Sequence, residues 1–292
     1  MEINIVTATY NRRSLLSRLY SSLVNQSNKN FTWLVVDDGS VDGTEALIKE
    51  YIAENKINII YMFKENGGKH TALNLAIKNS DSNYIFFVDS DDILPKNSIE
   101  ILLKKFKKIE SRKDCDDIAG ICGIKSDLEF KVVGNRLNEE VVCSYLDYRY
   151  KYQIVGDKAE VFKTAVLQKY LFPVFEGEKF CPEGLIWNRI SKNYKMFFFN
   201  EIVYNCEYQN DGLTSNSIAL RKKSPNATLL YYYELAQNNI NVKYKIRALL
   251  NFWRFYYIVG SKNLSKDISL PKGFLSWVCQ MFVLVLKLFK VI

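Results

Sequence analysis

Histidine is almost absent from this sequence, and its cysteines form no metal-binding pattern. The chain of 292 residues contains one histidine and six cysteines, and no two cysteines are spaced as C-x-x-C. Zinc sites are assembled from cysteine and histidine ligands at short spacings. We therefore expect no zinc site, and we interpret the cysteines as reduced, mostly buried thiols of a cytosolic protein.

We also expect no leader segment and see no low-complexity segment. A strand is predicted at Ile3 to Val6, and it leaves no room for a signal peptide before it. We find no internal repeat. Because 48% of the residues are apolar and 14% are aromatic, disorder is excluded for most of the chain. The length of 292 residues predicts one large domain, or one domain with an appendage.

Acidic residues are scarce in the last quarter of the chain. Residues 217–292 carry twelve lysines and arginines but two acidic residues, whereas the first 216 residues carry 28 and 30. The whole basic excess therefore comes from the C-terminal segment. Such a segment is typical of binding to nucleic acid or to an anionic membrane. No motif that reads nucleic acid accompanies the charge, so we expect no nucleic-acid partner.

Four apolar runs in the first part of the chain each end in a polar cluster and alternate with helical patterns. The clusters are Thr7–Arg12, Asp37–Ser40, Lys64–Lys69 and Asp89–Asp92. Alternating strands and helices predict right-handed βαβ units and a parallel sheet. The carboxyl ends of parallel strands lie at one edge of a sheet, where ligands bind. We therefore expect the four clusters to share one crevice.

The cluster after the fourth strand contains three carboxylates, those of Asp89, Asp91 and Asp92. Neighbouring carboxylates raise one another's pKa unless a cation lies between them. A hard divalent cation that bridges carboxylates to substrate phosphates fits this pattern. The alternative is a solvated turn in which Asp92 caps a helix from Pro95 to Lys108. The neighbouring clusters favour the cation.

The rest of the chain is predicted more coarsely. We expect strands at 118–124, 128–133 and 196–204, a helix at 182–194, a turn at 208–213, and basic helices from residue 217 onward.

Four motifs in this order resemble those of the family 2 glycosyltransferases of the GT-A fold. They are Thr-x-Tyr-Asn from Thr7, Val-Asp-Asp-Gly-Ser-x-Asp-Gly-Thr from Val36, Asn-Gly-Gly-Lys from Asn66 and Asp-Ser-Asp-Asp from Asp89. The resemblance covers about residues 1–215, and the middle part is similar to enzymes that build bacterial surface polysaccharides. It implies an α/β fold with a doubly wound, mostly parallel sheet and helices on both faces. The donor half would be about 1–95, the acceptor half about 96–215, and a helical basic extension would occupy 216–292.

The resemblance also implies a donor site for a nucleoside diphosphate sugar, usually a UDP-sugar. The implied donor-binding residues are Thr7, Ala8, Tyr10, Asn11, Asp38, Lys69, Asp89 and Ser90. Asp38 would accept a hydrogen bond from the uracil N–H, and Asp89 would hold the ribose hydroxyls. Asp91 would bind Mg²⁺ or Mn²⁺ on the diphosphate, where the cation offsets the charge of the departing group. Asp211 occupies the place of a histidine found in many relatives, and it either ligates the metal or makes a turn.

The implied catalytic base is Glu183, at the start of the predicted helix. Relatives often have an acidic pair here, but the first member is Pro182 in this chain. Glu176 and Glu178 therefore remain alternatives on the acceptor side, where the resemblance also places Trp187 and Arg189. Glu183 could instead be a first-turn acid favoured by the helix dipole. His70 is interpreted as a structural residue.

The segment 274–292 is apolar and carries a few polar residues on one side, which is typical of a helix lying in the plane of a membrane surface. The alternative is a helix that packs on the catalytic domain or on a second copy in a homo-oligomer. We predict a metal-dependent, inverting transferase, peripheral on the inner face of the cell membrane, with a lipid-linked saccharide as acceptor. An inactive membrane-bound assembly subunit is an alternative. A sugar-nucleotide nucleotidyltransferase is another, although such enzymes need a glycine-rich loop that Thr7 to Asn11 does not supply.

Overall fold

The computed structural model describes residues 2–207, 217–260, 264–266 and 268–288. The chain divides into two compact units. The first comprises Met1–Leu171 and Ile190–Gln209, and the second comprises Phe172–Arg189 and Asn210–Ile292. The domain boundary predicted near residue 215 stays a prediction. The short segment 172–189 belongs to the same unit as the C-terminal helices.

An eight-stranded sheet lies at the centre of the first unit. Its strands are β1 (Ile3–Thr9), β2 (Phe31–Asp37), β3 (Asn58–Phe63), β4 (Tyr84–Phe87), β5 (Ile118–Ser126), β6 (Val141–Cys143), β7 (Lys158–Lys163) and β8 (Lys195–Asn205). Their order is β3-β2-β1-β4-β7-β5-β8-β6. β1 is parallel to β2 and β4, β2 to β3, and β5 to β8. β7 is antiparallel to β4 and β5, and β6 is antiparallel to β8. The predicted mostly parallel α/β sheet is confirmed.

Helices connect the strands of the first unit and make up most of the second. They are α1 (Arg13–Val24), α2 (Thr44–Glu54), α3 (Lys69–Asn79), α4 (Ser98–Glu110), α5 (Thr164–Leu167), α6 (Gly184–Ile190), α7 (Ser217–Lys223), α8 (Pro225–Gln237), α9 (Val242–Val259) and α10 (Phe274–Leu288). A 3₁₀ turn at Cys115–Asp117 and a π-helical turn at Asp147–Lys151 complete the described elements.

The core explains why β1, β2 and β4 form where their apolar runs predict. Every residue of β2 is buried, so this strand is covered on both faces. α1 contributes Leu16, Leu19 and Leu23, which recur every three or four residues and are fully buried. Burying a side chain of this size stabilises the fold by about 1.5–3 kcal/mol. The strand ends that carry the polar clusters are thereby fixed to a rigid sheet.

One predicted strand is wrong. Residues 128–133 make only an isolated bridge between Ser126 and Val132. The cause is Asp127, whose carboxylate accepts hydrogen bonds from the backbone N–H groups of Glu129 and Lys131. Phe130 within this turn has a φ of +62°, which an extended strand does not allow. The apolar side chains suggested a strand, but the aspartate closes a turn.

Helix starts also differ from the sequence-based expectations. α4 begins at Ser98, and Asp92 does not cap it, because the Asp92 carboxylate bonds to Tyr204 and Glu207 instead. The helix predicted at 182–194 is the shorter α6. Among the described helices, none combines the length and the hydropathy needed to cross a bilayer.

Candidate active site

The four polar clusters follow strands that run in parallel, so they emerge at one edge of the sheet, as predicted. The clusters after β1 and β2 are joined by hydrogen bonds. The Asn11 N–H donates to Ser40 Oγ at 2.9 Å, and Asn11 Oδ1 accepts from the Val41 N–H at 2.9 Å. Asn11 has a φ of +51°, a conformation that asparagine tolerates better than most residues. Asn11 therefore holds the two loops together as well as lying in the predicted donor site.

The predicted donor-binding residues in and directly after β1 have different exposures. Thr7 is fully buried, and its hydroxyl accepts a hydrogen bond from Trp33 Nε1 at 3.0 Å. Ala8 is half-buried, and Tyr10 exposes 49% of its surface. The Thr7 side chain thus makes a hydrogen bond within the core, whereas Ala8 and Tyr10 are accessible to a ligand.

Asp38 organises the loop between β3 and α3. Its Oδ1 accepts from Lys64 Nζ at 2.5 Å and from the Gly67 N–H at 2.9 Å. Its Oδ2 accepts from Asn66 Nδ2 at 3.1 Å and from the Gly68 N–H at 2.7 Å. A carboxylate offers about four lone-pair positions. All four are used by this loop, so a donor base can reach Asp38 only by sharing or replacing one of these partners.

Glycine is required at position 39 because the loop after β2 packs closely against the loop after β3. Gly39 has a φ of +88°, and a Cβ atom at this position would lie 2.9 Å from the backbone nitrogen of Asn66. Only glycine adopts this conformation without strain and leaves this space. The Asp-Gly-Ser pattern after β2 is therefore explained by the packing of two loops.

The loop after β4 contains Asp89, Ser90, Asp91 and Asp92. Asp89 forms an ion pair with Lys69, with 2.5 Å between Oδ1 and Nζ. Ser90 is buried. The structure therefore brings two predicted donor-binding residues, Lys69 and Asp89, into direct contact.

Tyr204, near the end of β8, makes hydrogen bonds to two residues of this loop. Its hydroxyl accepts from the Asp89 N–H at 2.9 Å and donates to Asp92 Oδ2 at 2.7 Å. The other oxygen of Asp92 accepts from the Glu207 N–H at 3.0 Å. Asp92 is thus a structural anchor that fixes the loop carrying Asp89 and Asp91.

Burial and neighbouring charges shift the pKa values of the three carboxyl groups in this loop. Burial opposes ionisation of Asp89, but the cations of Lys69 and Lys125 hold its pKa below the usual value. Burial and the charge of Asp89 raise the pKa of Asp91. The same two causes raise the pKa of Asp92 to about 7. The loop therefore has an excess of negative charge that nearby lysines offset only in part.

Lys125 and Tyr204 are residues that the sequence reading did not identify. Lys125 Nζ lies 3.8 Å from the centre of the Tyr204 ring, a cation–π contact. The charges of Asp89 and Asp92 act against burial and raise the pKa of Lys125, so it remains a cation. A lysine at the end of an otherwise apolar strand was the available signal, but the predicted strand stopped at residue 124.

The donor atoms of the loop fit a divalent cation held together with a diphosphate. Among the described residues, no group of three or more His, Cys, Asp or Glu side chains is arranged to hold a metal ion alone. Mg²⁺ and similar ions are commonly bound by one or two carboxylates plus substrate phosphates. The raised pKa of Asp91 beside Asp89 indicates a place where a cation would be favourable. Asp211, the second predicted ligand, lies outside the described residues.

One of the predicted acceptor-side acids, Glu178, makes structural hydrogen bonds within the second unit. Glu178 is buried, and its carboxylate accepts from the Asn226 N–H at 2.7 Å, from Asn226 Nδ2 at 2.8 Å and from the Ala227 N–H at 3.0 Å. These donors lie at the start of α8, where a carboxylate also interacts favourably with the helix dipole. Glu178 is therefore committed to holding α8. Glu176 is exposed and Glu183 is half-buried.

The other two acceptor-side candidates pack inside the second unit. Arg189 forms a bidentate ion pair with Glu234 of α8, with 2.9 Å from Nε to Oε2 and 2.6 Å from Nη2 to Oε1. Trp187 is buried, and its ring packs edge-on against Phe172. Both contacts position α6, and a role of either residue toward an acceptor stays a prediction.

Part of the chain is similar in sequence to a described family. Residues 4–127 match Glycosyl transferase family 2. The chain is 27% identical over 179 residues to Glycosyltransferase GlyA of Streptococcus pneumoniae serotype 4, which covers 61% of this chain and 26% of that protein. It is 31% identical over 99 residues to Putative teichuronic acid biosynthesis glycosyltransferase TuaG of Bacillus subtilis, which covers 34% of this chain and 39% of that one. The chain thus matches about a quarter of the first relative's length and two fifths of the second's.

Solved structures show the same fold. S. aureus TarS 1-349 in complex with UDP-GlcNAc has a TM-score of 0.63 at 19% identity, covering 97% of this chain and 80% of that one. The mannosyltransferase PcManGT from Pyrobaculum calidifontis, in complex with GDP-Man and Mn2+, has a TM-score of 0.57 at 15% identity, covering 99% and 81%. At these identities the likeness establishes the fold.

Proposed function

We propose that this chain, which belongs to glycosyl transferase family 2 through residues 4–127 and has the GT-A fold, transfers a sugar from a nucleoside diphosphate sugar to a hydroxyl group. The observation that carries the proposal is the meeting of four polar loops at one sheet edge, with Lys69 paired to Asp89 next to Asp91. The donor is a UDP-sugar, as in the TarS complex, and the reaction inverts the anomeric centre.

The residues of the first unit bind and orient the donor. Tyr10 and Ala8 line the nucleoside, because Tyr10 is exposed and Ala8 is half-buried, whereas Thr7 is fully buried. Asp89 accepts hydrogen bonds from the ribose hydroxyls, and Lys69 lies beside it to neutralise part of the diphosphate charge. Asp91 would hold Mn²⁺ or Mg²⁺, which when bound stabilises the negative charge of the departing diphosphate. The complex of PcManGT with GDP-Man and Mn2+ supports this cofactor.

Glu183 is the proposed base that takes the proton from the acceptor hydroxyl. An inverting transfer needs a carboxylate within hydrogen-bond reach of that hydroxyl. Both oxygens of Glu178 bind the start of α8, which disfavours Glu178 among the three predicted acids. Glu183 immediately precedes α6, whose Leu185 and Ile186 are fully buried. A base directly before such a packed helix is held more precisely than one on an exposed loop.

The acceptor is proposed to be a lipid-linked saccharide in surface polysaccharide synthesis at the inner face of the cell membrane. The name of the relative TuaG, which refers to teichuronic acid biosynthesis, supports the polysaccharide. The alternative of an inactive assembly subunit is disfavoured because Asp89 and Asp91 are present together with Lys69. The nucleotidyltransferase alternative lacks support from the family match.

The test measures turnover and donor binding of the Glu183→Gln variant. With a panel of UDP-sugars, UDP-GlcNAc first, we expect kcat to fall by about 10²–10⁴-fold while donor affinity is nearly unchanged. Glu176→Gln is the matched control, because Glu176 is exposed on the same segment, and it should retain its activity. Near-normal turnover of Glu183→Gln together with an inactive Glu176→Gln would contradict the assignment.

A further inference from the structure

Helix α10 packs on α9 with its polar side. Ser276 is buried, and its hydroxyl accepts from Trp253 Nε1 at 3.1 Å and donates to the Pro271 carbonyl at 2.9 Å. Gln280 Nε2 donates to the Tyr257 hydroxyl at 3.1 Å, and Lys287 Nζ donates to the Tyr257 carbonyl at 2.8 Å. The polar residues Ser276, Gln280 and Lys287 of α10 therefore all make hydrogen bonds within the second unit.

The opposite side of α10 is apolar and open to solvent. We call this surface the outer face of α10. It consists of Phe274, Trp277, Val278, Met281, Phe282, Val285 and Leu288. Phe274 exposes 79% of its surface and Leu288 exposes 74%. The residues recur every three or four positions, so they form one continuous stripe. A contiguous exposed apolar surface of this kind marks a binding site for a partner.

We infer that the outer face of α10 binds the surface of an anionic lipid bilayer, with the helix lying in the membrane plane. Charge selects this partner, because the exposed lysines Lys272 and Lys287 lie just before α10 and in its last turn. Residues 217–292 carry twelve basic and two acidic residues, and α10 itself contains no acidic residue. Basic residues beside an apolar helix face are attracted to anionic headgroups. A second copy of the chain would bring two such basic segments together, which their repulsion disfavours.

The described length of α10 bears on how it meets the bilayer. Its 15 described residues extend about 22 Å at 1.5 Å per residue, whereas the hydrocarbon core of a bilayer is about 30 Å thick. The outer face is also one-sided, because the other side is held on α9. Both features favour insertion of the apolar side chains to a shallow depth.

This inference goes beyond the proposed transfer reaction and does not depend on it. The proposed donor-binding residues all lie before residue 93, and the outer face of α10 begins at residue 274. A failure of membrane binding would leave the donor chemistry unaffected, and an inactive enzyme could still bind lipid. The two claims are therefore tested separately.

The protein contains a built-in probe for the test. It has four tryptophans, and Trp33, Trp187 and Trp253 are buried, whereas Trp277 on the outer face exposes 55% of its surface. The full chain is mixed with vesicles of phosphatidylcholine containing phosphatidylglycerol. We expect cosedimentation, a blue shift of tryptophan emission, and stronger quenching by lipids brominated near the headgroup than by lipids brominated near the chain ends.

The variant Phe274→Gln/Phe282→Gln removes two aromatic side chains from the outer face without touching the contacts to α9. We expect it to reduce vesicle binding at least about tenfold, because apolar burial is the part of the attraction that salt does not screen. Phe130→Gln is the matched control, since Phe130 is similarly exposed, at 63%, in the first unit. It should bind vesicles like the unchanged protein.

Three results would overturn the inference. The first is vesicle binding by Phe274→Gln/Phe282→Gln equal to that of the control. The second is quenching of Trp277 strongest at the bilayer centre. The third is no vesicle binding combined with a self-associated protein that the double substitution converts to monomers, which would show that a second copy covers the face.

Discussion

Asp38 illustrates how one side chain can serve both the fold and a ligand. Its oxygens accept from Lys64, Asn66 and the N–H groups of Gly67 and Gly68. The glycine donors are backbone groups of a tight loop and cannot turn away. Lys64 has a flexible side chain, so it is the partner that a base N–H could replace. The location of Asp38 was predictable from the sequence, but its hydrogen bonds depend on a loop that is distant along the chain.

The single histidine, His70, gives a prediction on pH dependence. It is buried near Lys64 and Asp38, and burial lowers its pKa to about 4 from an ordinary value of 6.5. Below pH 6.5 the unfolded chain therefore takes up a proton that the folded protein does not. We expect the free energy of unfolding to fall as the pH decreases from 6.5 to about 4, by at most about 3 kcal/mol from this residue.

The measurement compares the protein with a His70→Gln variant in denaturant titrations across this pH range. Carboxylates titrate in both proteins, so the difference between the two curves isolates the histidine. Because the chain has one histidine, NMR also gives a single imidazole signal whose titration reports the pKa directly. An imidazole that titrates near pH 6.5, or two curves that run in parallel, would refute the prediction.

At the scale of elements, β8 supports the loop after β4 through Tyr204. In Tyr204→Phe the ring remains, but the Asp89 N–H loses its acceptor and Asp92 Oδ2 loses its donor. A buried polar group left without a partner costs about 1–3 kcal/mol. We expect lower stability and, because the loop carries Asp89 and Asp91, about a tenfold loss of UDP affinity measured with Mn²⁺ by calorimetry.

Tyr84→Phe is the control for this effect. Tyr84 donates a hydrogen bond to Glu110 at the other end of β4, so its removal also breaks a tyrosine–carboxylate contact. It should lower stability without changing the affinity for UDP. If Tyr204→Phe binds UDP as tightly as Tyr84→Phe does, the hydroxyl of Tyr204 has no part in positioning the loop.

The elements also show which features local patterns can predict. α2 runs from Thr44 to Glu54, and its buried residues Leu47, Ile48 and Tyr51 recur at the helical spacing that a local pattern can reveal. An outward apolar stripe on α10 agrees with the helix predicted at 274–292, but the contacts that hold its other side could not be predicted. The stripe and the polar residues opposite it are visible in the sequence, whereas their partners are not. The polar contacts with Trp253 and Tyr257 that turn it outward depend on the fold of the second unit.

At the scale of the whole molecule, the proposed donor site and the proposed membrane surface lie in different units. Donor-binding residues come from the first unit, which contains Met1–Leu171, whereas Glu183 and α10 belong to the second. Deleting residues 270–292 would remove Ser276 and uncover the buried side chain of Trp253. Point substitutions on the outer face of α10 therefore separate the two functions more cleanly than truncation.

The most direct test of the central claim is the affinity for UDP, measured by calorimetry with Mn²⁺ and with excess EDTA. For the unchanged protein and for the control Asp116→Ala, which alters an exposed aspartate of the same unit, we predict clearly tighter binding with Mn²⁺. Asp91→Ala should fold normally and lose this Mn²⁺-dependent part, because its carboxylate would link the cation to the protein. Equal affinity for UDP in Mn²⁺ and in EDTA, or an Mn²⁺ effect that survives in Asp91→Ala, would contradict the account.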